Sequence, residues 1–528
     1  MEKIEKKTKD FCMDCRKLLR EFLYFVKRNR YVILLLGIFT CLIHGDKLFS
    51  TNNGIDTEKI IFEGEEIYES WLGIGRQGLV FLKWMLGQRH YNPYFAGMLA
   101  LLFLAAATIL FTFLFELVRS ERGGDTHRMG QRFLNLAFGL LFISHPILTE
   151  QLYFSLQGAE VTLAFILCGV SLLFAHRRHF FPGMLLLLPA LGVYQAMVPL
   201  YLFGIVALGC LHGMCVSSGI RVKEEVLYVV RLTVVFLGSF ALNQLITRMF
   251  FSKTRYLTNQ IQWNRAEILE GILRIASHVR DVLWGSGIFY FAGFFWLAVG
   301  LGVVALWKNY PWKISVVIWN LLLLLALYAS PFYLSVVLGE RPVIRGQLVL
   351  PFVMGFLAYL SGVLLQESAK NRPTVVGKLF LSMVVLYTVW QETDVTCRLY
   401  YTDAVRYQED LWLAGNLEQD VIKFTGKCDY QGTVVFIGKR KAPGNCASLT
   451  GDVMGQSLFA WDTDVEPVNF WSSSRIIGFM HCMGTNYRAP TAEQTALALE
   501  VSGDMPCYPA DGSMAWCDDM VVIKLSGE

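Results

Sequence analysis

Long runs of apolar residues constrain the fold of this chain more than any other feature of its sequence. A run near 20 apolar residues is long enough to cross the roughly 30 Å hydrocarbon core of a bilayer as a helix. A water-soluble domain cannot bury so many helices that are apolar on every side, and only 17% of the residues are charged, against about a quarter in soluble domains. We therefore predict a polytopic α-helical membrane protein. The clearest runs span residues 31–43, 95–117, 161–175, 226–242, 314–329 and 348–365.

Basic residues cluster in the N-terminal tail and in alternate short loops, which sets the expected orientation. Cytoplasmic loops carry an excess of Lys and Arg, so the tail is expected inside, and about eleven spans then place the C-terminus outside. Residues 398–528 carry 10 Lys and Arg against 17 Asp and Glu, a net charge of −7, whereas the rest of the chain has a net charge of +11. The basic excess sets orientation and does not indicate a nucleic-acid partner.

This topology divides the chain into a cytoplasmic tail over residues 1–30, a transmembrane domain over residues 31–397 and an extracytoplasmic domain over residues 398–528. Two outer segments of the transmembrane domain are long enough to form structure of their own. They are a first outer loop over residues 44–93 and a segment over residues 250–284, in which apolar residues recur at helical spacing. We expect the second segment to be an amphipathic helix in the outer interface.

The C-terminal domain has shorter apolar segments than the rest of the chain. GTVVFIGK and MVVIKLS are predicted strands, and DLWLAGNLEQDVIKF, SRIIGFMHCMG and TAEQTALALEVSG are predicted helices. We expect a small α/β domain with an accessory or acceptor-facing role. Because an oxidising exterior permits disulfides, Cys507 and Cys517, which bracket a turn, are the expected pair.

The first outer loop carries the most specific chemistry. Asn53-Gly54 is a turn signal, and Asp56 and Glu58 follow it at the mouth of the first span. Arg76 is flanked by glycines in the segment WLGIGRQG. An exposed arginine of this kind suits an anion such as a phosphate. Rim acids are more often solvated loop charges, but an acid and an arginine together suit a reaction on a phosphorylated lipid.

These segments carry a resemblance to a known family. A span followed by GIDTEKI, then WLGIGRQG, then many further spans and the closing segment MPCYPADGSMAWCDDMVVIKLS resembles the Gtr-type membrane glucosyltransferases of the O-antigen serotype-converting kind. That family lies within the GT-C superfamily, whose members use polyprenyl-phosphate-linked sugars. The resemblance implies a GT-C-like fold in a bacterial cell membrane.

The resemblance also implies a reaction. Such an enzyme takes a sugar, expected to be glucose, from a polyprenyl-phosphate carrier in the outer leaflet and passes it to a cell-surface glycan. The catalytic acid falls on Asp56, with Glu58 second, and Arg76 matches the family's Gly-Arg position. The chemistry is reasonable without the family, because a carboxylate can take the acceptor proton while cations stabilise the departing phosphate. The sequence indicates no cofactor; a divalent metal ion is compatible with such chemistry, but no motif supports one.

Further polar residues at the outer rim are candidates, because ionisable groups at a membrane are rare and are often functional. Arg341 and Arg345 are close in sequence and suit a lipid phosphate, with an internal ion pair to Glu340 as the alternative. A second set is assigned to sugar or acceptor binding: Glu150, Gln151, Tyr194 and Gln195. The alternative for Glu150 is an acid in water at an outer helix end, and the alternative for Gln195 is a helix cap.

Three other functions remain open. A carrier-lipid flippase or transporter would favour charged residues at mid-span and inverted repeats. An O-antigen-polymerase-type enzyme would typically carry a large, arginine-rich outer loop late in the chain. A non-catalytic anchor for the outer domain would leave the acid and arginine of the first loop unexplained.

Overall fold

The computed structural model describes residues 2–62, 64–88, 90–124, 129–214, 221–251, 261–264, 267–308, 313–367 and 373–527. In chain order its α-helices are Glu2–Arg28, Arg30–His44, Asp46–Phe49, Thr57–Phe62, Gly64–Gly73, Gln77–Met85, Pro93–Glu121, Met129–Ser144, Pro146–Tyr153, Ser155–His176, Phe180–Leu191, Met197–Met214, Val222–Phe250, Ile268–Trp284, Gly293–Lys308, Ile314–Ala329, Tyr333–Leu338, Val349–Glu367, Pro373–Thr425, Phe470–Cys482 and Ala492–Val501. Short 3-10 turns lie at Gln262–Asn264, Ser330–Phe332, Ile344–Gly346 and Leu458–Ala460. The strands are β1 (Thr433–Ile437), β2 (Met514–Cys517) and β3 (Met520–Lys524).

The prediction of a multi-pass membrane protein is supported by the lengths of the helices. By length and composition, seven helices in the described ranges can cross a membrane, and a pair bent by 47°, Gly130–Ser144 with Pro146–Tyr153, would make an eighth. Three apolar helices are shorter: Arg30–His44, Phe180–Leu191 and Gly293–Leu306. The count of eleven would require each of these to cross, so it stays a prediction, as does the orientation of the termini.

The centre of the membrane part is the helix Val349–Glu367, whose most apolar stretch is buried throughout. Phe352 packs against Phe142 and Phe111, with ring centroids 4.2 and 4.8 Å apart. A Cβ on Gly355 would lie 2.7 Å from a backbone oxygen of a neighbouring helix. A helix that is apolar on every side is expected to be buried in this way.

The N-terminal tail is a helix along the end of the bundle. The ring of Phe11 lies 5.9 Å from that of Phe174, and Arg177 donates to Glu21 at 2.7 Å. The helix Glu2–Arg28 ends one residue before the first apolar helix begins. The tail therefore packs against the C-terminal end of the helix Ser155–His176 and is not a free extension.

The amphipathic segment is confirmed as a helix over Ile268–Trp284. Its buried face holds His278, whose ring nitrogens lie 2.7 Å from Ser335 Oγ and 3.2 Å from Gln347 Oε1. Residues 252–260 and 265–266 of the predicted segment lie outside the described residues. Its exposed surface carries the large apolar side chains Ile268, Leu269, Ile272 and Leu273 beside the charged Glu270 and Arg274, and its place in the outer interface stays a prediction.

The last membrane helix continues without a break into the C-terminal domain. Pro373–Thr425 has 53 residues and is therefore about 80 Å long, well beyond the roughly 30 Å core of a bilayer. The predicted boundary at residue 398 falls inside this helix. The predicted helix DLWLAGNLEQDVIKF is its final part.

The C-terminal domain is a three-stranded sheet covered by helices, as predicted in outline. The strand order is β1-β3-β2, with β1 parallel and β2 antiparallel to β3. Strands β1 and β3 and the helices Phe470–Cys482 and Ala492–Val501 are confirmed, whereas the four residues of β2 were not predicted. Thr491 and Gln494 form a capping box at the last helix.

The predicted disulfide between Cys507 and Cys517 is wrong in this structure, where both are free thiols. Cys517 ends β2 and packs inward with Ile437 and Ala498. Cys507 is exposed on the turn that precedes β2. The two side chains therefore occupy different environments despite their proximity in sequence.

Candidate active site

The first outer loop presents Asp56 on a tight turn. The Gly54 N–H donates to Thr57 Oγ1 and the Thr57 N–H donates back to Gly54 O, both at 3.2 Å. The Ile55 N–H donates to the hydroxyl of Tyr153 at 3.1 Å, and a Cβ on Gly54 would lie 2.9 Å from the tyrosine ring. Asp56 has φ +69°, a left-handed conformation that is uncommon outside glycine. Hydrogen bonds from the backbone on both sides of Asp56 therefore fix its position.

A buried arginine of the long helix fastens the same turn from the other side. Arg406 pairs with Asp403 and Asp410, the latter at 3.3 Å, and its Nη1 also donates to Asn53 O at 3.2 Å. The Asn52 amide donates to Asp403 at 3.4 Å. Breaking a buried pair leaves an uncompensated charge and costs several kcal/mol. This cluster therefore holds the first loop against the base of the C-terminal domain.

An arginine of the C-terminal domain joins the two predicted catalytic acids. Arg475 Nη1 donates to Asp56 Oδ1 at 2.9 Å and to Glu58 Oε1 at 3.2 Å. Its Nε donates to Asp462. The helix that carries Arg475 packs closely on the first loop, because a Cβ on Gly478 would lie 2.8 Å from Glu58 Cγ. The acids of the first loop and the C-terminal domain therefore form one cluster.

The two acids have different surroundings. The Glu58 side chain is 7% exposed and that of Asp56 is 38% exposed. Burial raises the pKa of Glu58 to about 7, Arg475 opposes that rise and Asp56 adds to it. Glu58 is thus a buried carboxyl that titrates near neutral pH, and Asp56 is the one open to a ligand.

Asp56 borders a cavity of about 350 Å³. Its lining carries both signs of charge, with a second acid and three cations from different elements. Such a mixture suits a ligand with both hydroxyl groups and an anionic group. In the part of the chain that the structure describes, no cluster of His, Cys, Asp or Glu is arranged to hold a metal ion. The charged and polar lining residues are Asp56, Lys59, Glu66, Ser70, Arg76, Gln157 and Arg345.

Arg76 reaches this cavity from a glycine-rich turn. Gly75 has φ +78°, which glycine adopts at no steric cost. A Cβ on Gly78 would lie 2.1 Å from a carbonyl oxygen of the Phe180–Leu191 helix, so glycine is required for that contact. The guanidinium of Arg76 lies 5.0 Å from the centroid of the Tyr194 ring and donates to Gln157 Oε1 at 3.3 Å. The predicted phosphate-binding arginine is therefore held at the cavity by a cation–π contact.

The two later arginines separate in the structure. Arg345 lines the cavity, lies 5.0 Å from the Phe154 ring centroid and pairs with Asp452 at 3.7 Å. Arg341 pairs with Asp281 at 3.5 Å and lies over the Tyr290 ring. Arg341 is not part of the cavity lining in the described ranges. Only Arg345 therefore accompanies Arg76.

Glu150 is engaged by the C-terminal domain instead of facing the cavity. Its Oε1 accepts from Asp452 N–H at 3.0 Å and its Oε2 from Val453 N–H at 2.8 Å. The neighbouring Gln151 is buried, and its amide atoms have no hydrogen-bond partner among the described residues. Glu150 thus makes a docking contact with the loop that carries Asp452, and its assignment to sugar or acceptor binding stays a prediction.

The predicted pair Tyr194 and Gln195 lies on the turn between Phe180–Leu191 and Met197–Met214. Tyr194 is buried and supports Arg76 through its ring. Gln195 is half-buried and is not part of the cavity lining in the described ranges. The structure thus brings Tyr194 to the site through Arg76 and leaves Gln195 beside it.

Sequence reasoning missed several residues of this site. Arg475 lies in a helix with no motif around it, and no signal in the sequence marks it. Lys59 and Glu66 follow Asp56 closely, and their charges at the surface of the first loop were the available signal. Gln157 lies in the first turn of the helix Ser155–His176, close in sequence to Glu150.

A family model described as Glucosyl transferase GtrII matches residues 47–361, more than half of the chain. The matched region contains the first-loop acids, the glycine-flanked arginine and Arg345, and it excludes the C-terminal domain. No curated protein and no solved structure matches the chain significantly. The family is one of glycosyltransferases, which agrees with the resemblance seen in the first-loop motifs. The chain therefore belongs to the glucosyl transferase GtrII family.

Proposed function

We propose that this protein transfers a glucosyl residue from a polyprenyl-phosphate carrier to a hydroxyl group of a cell-surface glycan, at the outer face of the membrane. One observation carries the proposal: a single cavity is lined by the carboxylate of Asp56 and by the guanidinium groups of Arg76 and Arg345. A lipid-linked sugar phosphate presents sugar hydroxyl groups to the carboxylate and an anionic phosphate to the guanidinium groups. The N-terminus is proposed to lie inside and the C-terminal domain outside.

In the proposed reaction Asp56 is the base. An acceptor hydroxyl is a weak nucleophile near neutral pH, and a carboxylate within hydrogen-bond reach can take its proton as it attacks C1 of the sugar. Oδ1 of Asp56 is occupied by Arg475, so the other oxygen is assigned to the acceptor. The bond from C1 to the phosphate oxygen breaks, and the electron pair leaves with the polyprenyl phosphate.

Arg76 and Arg345 are assigned to that departing phosphate. Each guanidinium lies over an aromatic ring at 5.0 Å, which limits its motion before the ligand enters. Cations fixed where negative charge develops stabilise a transition state more than flexible ones do. A planar guanidinium also matches two phosphate oxygens at once.

Arg475 and Glu58 are assigned positioning roles. Arg475 contacts both first-loop acids and Asp462, so it fixes the orientation of the Asp56 carboxylate. Glu58 is buried and contacts Arg475 Nη1 at 3.2 Å, so it helps to hold the guanidinium in place. In this arrangement the C-terminal domain contributes to the site, although the base itself belongs to the first loop.

The test is direct transfer by the purified full chain in proteoliposomes. Polyprenyl-phosphate glucose with a radiolabelled sugar is supplied with surface glycan on the outer side. We expect label to appear in the glycan and unlabelled polyprenyl phosphate to be released in equal amounts. Label that remains on the lipid would refute glycosyl transfer. Label that crosses the membrane on intact lipid would in addition favour a flippase.

A further inference from the structure

A second cavity, of about 560 Å³, lies in the C-terminal domain at the carboxyl ends of its parallel strands. Strand β1 ends at Ile437 and strand β3 ends at Lys524. In open α/β sheets, ligands bind in the crevice outside the carboxyl ends of parallel strands. The volume is within the 300–1,000 Å³ range of small-molecule sites. The cavity therefore has the place and the size of a binding site.

The backbone at the rim of this cavity is tightly organised. Gly438 directly follows β1 with φ +83°, and a Cβ there would lie 2.6 Å from Ser526 O. The Gly438 N–H donates to Asn469 Oδ1 at 3.0 Å, and the Lys439 N–H donates to Ser526 Oγ at 2.9 Å. Asn469 itself has φ +61°. Backbone in sparsely populated conformations clusters at ligand sites.

The lining indicates the class of ligand. Lys439 Nζ lies 3.5 Å from Asp464 Oδ2, so a donor and an acceptor stand side by side. Two of the three N–H donors of Lys524 are engaged by the carbonyl oxygens of Ser502 and Gly503, at 2.7 and 3.0 Å, which leaves one donor for a ligand. A sugar hydroxyl both donates and accepts, so neighbouring hydroxyls of one sugar match the Lys439–Asp464 pair.

Apolar surface completes the match to a sugar. Val468 and Leu499 line the same cavity, and each is exposed by more than a third. The C–H face of a sugar ring is apolar, and small-molecule sites combine such surface with a few placed polar groups. A phosphate group would gain nothing from this part of the lining.

The cavity is joined to the candidate active site by one short segment. Asp462 bonds to Arg475, the residue that holds Asp56, while Thr463 and Asp464 line the cavity. Asn469 at the cavity precedes Arg475 by six residues, a rise of about 9 Å along a helix. A short saccharide spans such a distance.

We propose that this C-terminal cavity binds a sugar unit of the acceptor glycan, next to the unit whose hydroxyl receives the transferred sugar. The proposal rests on the proposed glycosyl transfer, because it assigns the acceptor's position in that reaction. It makes the C-terminal domain the part of the chain that selects the glycan.

The test uses the full chain with Lys439→Ala and Asp464→Ala combined. Asp464 is 86% exposed and Lys439 is 33% exposed, so we expect folding and the thermal midpoint to be retained. The control is Lys427→Ala, an exposed lysine on the amino-end side of β1. We expect the KM for the glycan to rise about tenfold in the double variant, as for lost hydrogen bonds to charged groups. The KM for the lipid-linked donor and kcat should change less than twofold, and the control should match wild type.

A binding measurement separates this proposal from the transfer reaction. Wild-type and double-variant chains in detergent are applied to a printed array of di- and trisaccharide fragments of surface polysaccharides. Saccharide binding by wild type that the double variant loses supports the cavity even if no transfer from polyprenyl-phosphate glucose is seen. An unchanged glycan KM in an active enzyme, or array binding that is equal in the two chains or absent from both, overturns it.

Discussion

Replacing Arg475 by Gln tests whether the C-terminal domain contributes to the active site. Gln retains hydrogen-bonding capacity but removes the charge that faces Asp56, Glu58 and Asp462. A hydrogen bond to a charged group contributes about 1.5–3 kcal/mol. We take the lower end, because Asp56 is 38% exposed and water screens its share. That loss corresponds to roughly a tenfold lower kcat/KM.

The same change alters the environment of Glu58. Its pKa is raised to about 7 by burial even with Arg475 opposing the rise, so the pKa in the Arg475→Gln variant should be higher still. In that variant Glu58 is already largely neutral near pH 7, so replacing it by the neutral Gln changes little of the charge at position 58. We therefore expect Glu58→Gln to lower transfer in the wild-type background and to have a smaller effect beside Arg475→Gln, as in a double-mutant cycle of contacting residues.

The assay is transfer from radiolabelled polyprenyl-phosphate glucose in proteoliposomes with matched amounts of protein. Arg488→Gln, an exposed arginine of the same domain, is the control and should retain wild-type rates. Transfer by Arg475→Gln within twofold of wild type would refute the assigned role. Equal effects of Glu58→Gln in the two backgrounds would refute the coupling.

Four further outcomes are expected. Arg76→Lys should weaken donor binding about tenfold, since the planar fork is lost, whereas Arg341→Ala, away from the cavity, should bind donor as wild type in a lipid-binding assay; the reverse order would contradict the assignment. Glu150→Ala should lower the thermal midpoint and increase protease cleavage near residue 452, because the buried Val453 N–H loses its acceptor at about 1–3 kcal/mol and the part-buried Asp452 N–H loses its acceptor as well; an unchanged digest would exclude a docking role. Gly78→Ala should reduce the amount of folded protein seen by size-exclusion chromatography, because a Cβ would lie 2.1 Å from a backbone oxygen; normal yield would show that the loop can move. Glu58 has a pKa of about 7 against an ordinary 4.5, so the folded state binds the proton more tightly than the unfolded state, and the stability of the wild type falls as pH rises from about 4.5 through 7. The thermal midpoint of Glu58→Gln should therefore gain on that of wild type between pH 5 and 8, and midpoints that change in parallel with pH would contradict this.

The features predicted correctly from the sequence are those fixed by local pattern. Apolar runs identify membrane helices because a bilayer demands a minimum length, and strands β1 and β3 follow from their apolar segments. Asp56 and Arg76 stand beside turn glycines that can be recognised without a structure. Both residues line the candidate cavity, while their roles there stay predictions.

The site residues that were missed, and the predicted ones that lie away from the candidate cavity, depend on contacts between distant parts of the chain. Arg475 is 419 positions from Asp56, and only the docking of the C-terminal domain joins them. Arg341 and Arg345 are close in sequence, but Arg345 lies in the 3-10 turn Ile344–Gly346 and lines the cavity, whereas Arg341 pairs with Asp281. The hydrogen-bond donors to Glu150 are the N–H groups of Asp452 and Val453, which are about 300 positions away in sequence and could not be recognised from the residues around Glu150. Tertiary docking decided each of these outcomes.

The central claim is that Asp56 is the catalytic base, and Asp56→Asn measured beside Glu58→Gln tests it most directly. Asp56→Asn keeps the shape of the side chain and removes the proton acceptor. We predict that transfer from polyprenyl-phosphate glucose falls by roughly 10²–10⁴-fold, the range for loss of a general base, with donor binding and thermal midpoint retained. Transfer by Glu58→Gln should fall far less, because Glu58 acts through Arg475. Loss of transfer in Glu58→Gln alone, or wild-type transfer by both variants, would contradict the account.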